Sequence, residues 1–253
     1  MKIIACVKAV PEEQDIVVTK SQELSFDKAA WKISAYDLNA IETGKGIIAE
    51  VGGTMTGLSL GGAALNNTKL KKDILSRGLD DLTIVLEEER DLTDSFEIAS
   101  GLKNAIEKMD SYDLVLCGVG SGDLYSQEVG NILGGLLDVP VLNDVSKVTP
   151  GDGVVVVERT IGSVVDVLEV ALPAVISVTP DINIPSIPAM KDILKAGKKP
   201  VATESESWDG IEKGTEIVSE LAPSQKERAK VVVEGDDDES IEKLIAFLKK
   251  EMA

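Results

Sequence analysis

The stretch LVLCGVGSGDLYSQEVGNILGGLLDVP, residues 114–140, joins a short apolar run to a glycine-rich turn and then to a segment with helical spacing. An apolar run bounded by turn signals reads as a buried strand, Leu114 to Cys117. The spacing from about Ser126 to Leu137 predicts a helix, with Asp123 or Ser126 as its cap. Strand, glycine turn and helix in this order suit an anion, because the first amides of the helix point into the turn. Gly118, Gly120 and Gly122 permit close backbone approach and left-handed φ. The turn carries no Lys or Arg, so the expected ligand is a phosphate held by backbone amides. The competing reading is a tight connection with no ligand. The Gly-Lys-Ser/Thr ending of a Walker loop is missing, and the turn after the first strand, Lys8–Gln14, has no Gly-x-Gly-x-x-Gly. As a ligand site, the turn reads as built to hold a phosphate and not to cleave it; as a plain connection, it holds nothing.

Working outward, the first 140 residues alternate strand-like and helix-like segments. Ile3 to Val7, Met55 to Leu60, Leu82 to Leu86 and Leu114 to Cys117 read as strands. Between them, Ser34-Ala-Tyr-Asp37 resembles a capping box opening a helix to about Ala49. A second helix runs from about Asn67 to Ser76, stopped by Gly78, and Thr93 caps a third reaching about Met109. Such alternation predicts an α/β fold, a mostly parallel sheet with helices on both faces. After Pro140 four strand-like runs follow without helices, 141–148, 154–160, 164–171 and 174–178, with Gly151-Asp-Gly153 as a hairpin turn. They predict a mixed extension of the sheet. The chain is then Pro-punctuated and basic over 181–200, and polar and patternless from 201 to about 228. A helix from Ser240 to about Lys250 follows, its acidic start matching the helix dipole.

Composition narrows the chemistry. The 253 residues are 43% hydrophobic and carry a formal net charge of −18, a surface that repels nucleic acid and anionic lipid. Histidine is absent, which removes Ser-His-Asp and Cys-His catalysis and His-ligated metals. Two cysteines cannot hold an iron–sulfur cluster. No run approaches the roughly 18 apolar residues of a membrane span, and the first eight residues read as a strand and not a signal peptide. A soluble cytoplasmic protein, with no nucleic-acid partner and no membrane insertion, is the expectation.

Three stretches taken together, MKIIACVKAVPEEQDIVV at the start, residues 114–140 and IPAMKDILKAGKKP (187–200), resemble the beta subunit of electron transfer flavoprotein, particularly its FixA-type members. ISAYDLNAIE (33–42) is similar to that family's Asn-Pro-Tyr-Asp helix start. The resemblance implies a Rossmann-like fold of the adenine nucleotide alpha hydrolase kind and a heterodimer with an alpha subunit. It implies AMP or FAD in this subunit, with the electron-carrying FAD held mainly by the alpha subunit. It implies an electron-transfer subunit and not an enzyme, serving acyl-CoA dehydrogenases or reductases, anaerobic carnitine metabolism among the contexts. By the same resemblance the nucleotide site maps onto Cys6, Ser34, Ala35, Tyr36, Asp37 and Leu60, and onto Asp123, Leu124, Tyr125, Ser126, Gln127, Glu128, Val129 and Gly130. Residues 1–200 form the nucleotide-binding domain and 201–253 an arm and helix packed on the partner.

Two departures from the family pattern stand out. Ser34-Ala35 replaces Asn-Pro, and Gly120–Tyr125 loses an acid and gains an aromatic. Tyr125 either stacks on a flavin or adenine ring or packs as core. Segment 181–200 resembles the loop that docks on dehydrogenases, with Met190 as anchor, Ile187, Ile193 and Leu194 beside it, and Lys195, Lys198 and Lys199 as a basic flank. The alternative is an amphipathic turn packed on the core. A stand-alone ATP- or AMP-binding module or a nucleotide-cleaving enzyme of similar fold are the competing functions, the latter lacking its Ser-Gly-Gly-x-Asp-Ser loop after the first strand.

Overall fold

A computed structural model describes residues 1–205, 208–224 and 230–251. The chain divides into two compact units, one made of Met1–Val17 with Ser25–Glu220, the other of Val18–Leu24 with Leu221–Ala253. The strands are β1 (Lys2–Cys6), β2 (Ala9–Pro11), β3 (Val17–Val18), β4 (Leu24–Ser25), β5 (Trp31–Ile33), β6 (Thr54–Gly61), β7 (Asp81–Leu86), β8 (Leu114–Gly118), β9 (Val141–Pro150), β10 (Val154–Ile161), β11 (Val164–Ala171), β12 (Ala174–Val178) and β13 (Val201–Glu204). The helices are α1 (Ala35–Val51), α2 (Thr68–Ser76), α3 (Ser95–Glu107), α4 (Val129–Leu136), α5 (Met190–Ala196) and α6 (Asp238–Glu251).

Nine strands form one sheet in the order β11-β10-β9-β12-β8-β1-β6-β7-β13. The pairs from β9 to β13 are parallel, while β10 runs antiparallel to both β9 and β11. This is the mixed α/β sheet that the alternation predicted. Its central strands are buried on both faces, and their side chains divide with the period of two expected of a pleat. Ile3 and Ala5 of β1, with Leu114 and Leu116 of β8, face Ile41 and Ile47 of α1 and Ile74 of α2. Ile4 and Cys6, with Val115 and Cys117, face Ala99, Leu102 and Ile106 of α3 and Leu133 of α4.

The departures from expectation have local causes. Asp94 and not Thr93 caps α3, accepting hydrogen bonds from the amides of Phe96 and Glu97. α4 begins at Val129, three residues later than the spacing suggested. Tyr125 and Gln127 hold left-handed φ of 50° and 61°, which no helix accommodates. None of Gly118, Gly120 or Gly122 has left-handed φ; Gly118 is required for close approach, since a Cβ there would lie 2.6 Å from the Cβ of Tyr36. Three elements lie in segments read as turn or loop, β2, α5 and β13. β13 pairs with β7 from Val201 with Leu82 to Glu204 with Val85, a backbone contact that needs no side-chain pattern. In the smaller unit the Ala222 amide donates to the Gln22 carbonyl at 2.8 Å, and α6 leaves Ile241, Leu244, Ile245 and Leu248 of one stripe half exposed.

The capping box at the start of α1 does not form. Ser34 stands at the N-cap, yet its Oγ is buried without a hydrogen-bond partner among the described residues. Asp37 turns the other way. Its carboxylate accepts the Lys8 amide at 2.7 Å and the Gly118 amide at 3.3 Å, so one buried side chain ties the ends of β1 and β8 to the first turn of α1. Burial pushes its carboxyl up to about 7, against the pull of those two amides, the Lys8 bond first. In an unfolded chain an aspartate titrates near ~3.9. Between these values the folded protein binds the proton more tightly. This contribution to stability is therefore full below about pH 4 and is lost as pH rises through about 7. At about 1.4 kcal/mol per unit, the loss is a few kcal/mol. Asp37→Asn removes the titration. Urea unfolding of both proteins across pH 4–8 is expected to show wild-type stability falling relative to the variant as pH rises; a difference that is flat or grows with pH contradicts the assignment.

Candidate functional site

β1 lies where the chain changes direction along the sheet: β6 and β7 follow on one side, and β8, β12 and β9 on the other. The crevice outside the carboxyl ends of strands at such a switch point is where open α/β sheets bind ligands. Here it is a cleft of about 630 Å³, within the ~300–1,000 Å³ of small-molecule sites. Its floor is the ends of β1, β6 and β8, with Cys6, Leu58 and Cys117 in it. The residues after β8, the start of α4 and the segment 90–95 form the walls, and Phe26 and Trp31 line it from the segment before α1. The Cys6 thiol is pushed well above its ordinary value, first by its hydrogen bond with the Cys117 thiol and then by burial. Both cysteines are free and buried, so the floor is apolar and uncharged.

Polar groups line the cleft as well. Glu128 at the N-cap of α4 provides no side-chain hydrogen bond to the helix amides. Glu128, Val129 and Gly130 line the cleft, so α4 presents an uncapped first turn there. Asp123, expected as the cap, stands five positions before the N-cap and pairs with Lys8, whose Nζ lies 2.8 Å away. Ser126 does not cap the helix either; its Oγ takes part in a hydrogen bond with Ser95 Oγ at 3.1 Å. An uncapped helix start beside a lysine favours an anion. Arg90, which also lines the cleft, donates to the fully buried Glu97 carboxylate and stacks on Trp208 with its guanidinium carbon 5.1 Å from the ring centre.

Of the residues named from the sequence, Cys6, Asp37, Leu60, Asp123, Leu124, Ser126, Gln127, Glu128, Val129 and Gly130 meet around this cleft. Ser34, Ala35, Tyr36 and Tyr125 do not line it. Tyr36 and Tyr125 pack on each other, ring centres 5.1 Å apart, and Tyr125 lies over Gly120, where a Cβ would come within 2.5 Å of its ring. The turn itself carries no basic residue, as read, but two reach the cleft from other segments. Lys8 and Arg90 both line the cleft, and the signal available for Lys8 was its place directly after the first strand. Arg90, Phe26 and Trp31 offered none, since they lie in segments without a pattern.

The segment 181–200 is tied down at its start and exposed beyond. The Asn39 side chain donates to the Asn183 carbonyl at 2.9 Å, and the Asn183 side chain returns a bond to the Asn39 carbonyl at 3.0 Å. Ser186 Oγ donates to Glu42 at 2.8 Å. Beyond these anchors Ile187 is 91% and Met190 71% exposed, with Leu194 similar and Ile193 partly so; an amphipathic turn packed on the core is not what these residues make. Lys199 does not belong to a free basic flank. Its Nζ donates to the Leu75 carbonyl at 3.0 Å and to that of Leu79, at the end of α2.

Among the described residues no helix is long and apolar enough to cross a membrane. The family model of the electron transfer flavoprotein domain matches residues 24–207, well over half of the chain. The match takes in β6, β8, the glycine turn, α4 and the exposed segment around Met190. The chain belongs to the electron transfer flavoprotein domain family.

Proposed function

We propose that this chain is the nucleotide-binding beta subunit, of FixA type, in a heterodimeric electron transfer flavoprotein. The carrying observation is the cleft at the ends of β1, β6 and β8, lined both by an uncapped helix start and by Lys8 over an apolar floor. An adenine nucleotide, AMP or FAD, fits this chemistry. Its phosphate suits the first amides of α4 and the Lys8 ammonium, while Leu58, Leu60 and the thiols of Cys6 and Cys117 suit a flat apolar ring. Leu124 to Gly130 shape the wall, and Ser34 to Tyr36 act through the first turn of α1, which packs over Gly118. When bound, flavin supplies the redox chemistry; the residues of this chain bind, orient and shield. The absence of histidine agrees with a subunit that makes no bonds of its own.

Three apolar surfaces support partners. α6 has an uncovered stripe, β11 exposes Val164, Val165 and Val167, and residues 184–194 project Ile184, Ile187, Met190 and Leu194. We assign the arm from residue 201, including α6, to an alpha subunit that holds the main FAD. The 187–195 segment, with Lys191 and Lys195 beside its apolar residues, docks an acyl-CoA dehydrogenase or reductase in the cytoplasm. Coexpression with an alpha-type partner is expected to yield a yellow 1:1 complex from which an adenine nucleotide in addition to the alpha-subunit flavin is extracted. A colourless monomer that binds neither AMP nor FAD overturns the reading. Met190→Ala is expected to cost on the order of 1–2 kcal/mol of association, slowing electron transfer to the partner enzyme about tenfold. Its melting temperature should stay within a degree or so, because an exposed side chain leaves no cavity. A large loss of stability with transfer intact refutes the docking role.

A further inference from the structure

The glycine turn has no basic residue of its own, and Lys8 reaches it from the end of β1. The Lys8 Nζ lies 2.9 Å from one carboxylate oxygen of Asp123 and 2.8 Å from the other, with Ser121 Oγ at 3.5 Å. The two side chains are 29% and 26% exposed. Burial by itself would raise the Asp123 carboxyl, but the Lys8 and Ser121 bonds outweigh it and hold the group below its ordinary value. At neutral pH it is a full anion. The second cation lining the cleft, Arg90, is already matched by Glu97 and Trp208. Asp37, Asp91, Glu128 and Glu220 add further carboxylates to the lining. An arriving phosphate therefore meets a wall whose one lysine is held by two oxygens of an internal anion, the way an ammonium holds two oxygens of a phosphate.

We propose that Asp123 is an internal competitor for the nucleotide phosphate, a carboxylate that pairs with Lys8 and gives it up when phosphate enters. It is a specificity-determining residue, setting how strongly the phosphate counts in binding. The physical reason for such a device is that a half-buried ammonium without a partner is costly. Asp123 keeps Lys8 paired and the turn formed until the ligand arrives. The inference rests on the reading of the cleft as an adenine nucleotide site.

The test is calorimetry on the full chain stripped of nucleotide, with AMP and adenosine as probes, for wild type, Asp123→Asn, Asp123→Ala, Lys8→Met and the Lys8→Met/Asp123→Asn pair. Removing the competitor should tighten AMP about fivefold, the size of a partly exposed ion pair, and leave adenosine, which has no phosphate, within about twofold. In the Lys8→Met background the gain should shrink below about twofold, since no ammonium is left to release. Weaker or unchanged AMP binding in both Asp123 variants, with adenosine binding retained, overturns the proposal and makes Asp123 an ordinary ligand. So does an equal gain for adenosine, or a gain that survives Lys8→Met. A wild type that binds AMP no better than adenosine, or binds neither, sinks the nucleotide reading itself and this inference with it.

Discussion

A single buried carboxyl group, Asp37, holds together three of the pieces of chain around the cleft. It accepts the amide of Lys8 at the end of β1 and that of Gly118 at the end of β8, while belonging to the first turn of α1. Strand ends in a parallel sheet leave amides without ladder partners, and a buried amide without a partner costs about as much as a lost hydrogen bond. Asp37 satisfies two of them with one side chain. The same bonds set where Lys8 leaves the sheet and where the glycine turn begins. The price is a carboxyl group buried at the edge of its ionisation range.

From this clasp the rest of the site follows by exclusion. Gly118 has no room for a side chain because α1 comes down onto it. The turn beyond it pairs Asp123 with Lys8 and Ser126 with Ser95. The left-handed φ of Tyr125 and Gln127 delays the helix, so α4 starts with Glu128 at its N-cap, where no side chain bonds the first amides. Helix capping and ligand binding compete for the same amides, and here no cap takes them.

The outer surface has a different logic. Long apolar residues near 187–194, on β11 and on α6 stay exposed although the core has ample Val, Ile and Leu of its own. The anchoring bonds of Asn183 and Ser186 to Asn39 and Glu42 hold the start of the first of these segments in place while its apolar side chains face outward. Such an arrangement fits a surface that meets another protein, since scattered exposure would need no anchors.

Much of the architecture was legible in the residues. Period-two burial in β1 and β8, the Asn67 cap of α2, which accepts the amides of Lys69 and Leu70, and the helical stripes of α1 to α3 are local properties, and local properties are written in order along the chain. The turn between β8 and α4 was legible as a strand-to-helix connection for the same reason. What the sequence alone misread were partnerships between distant residues. Ser34 and Asp37 have the spacing of a capping box, but tertiary contact sends Asp37 to two strand ends. The turn contains no lysine, yet Lys8 stands 113 positions away in sequence from Ser121 and within reach of it in space. β13 joins the sheet through backbone bonds that any residues can make. Composition and periodicity determined most of the strands and helices of the sheet's core; only the closing of the sheet decided which charges face each other, because that depends on which strand ends become neighbours.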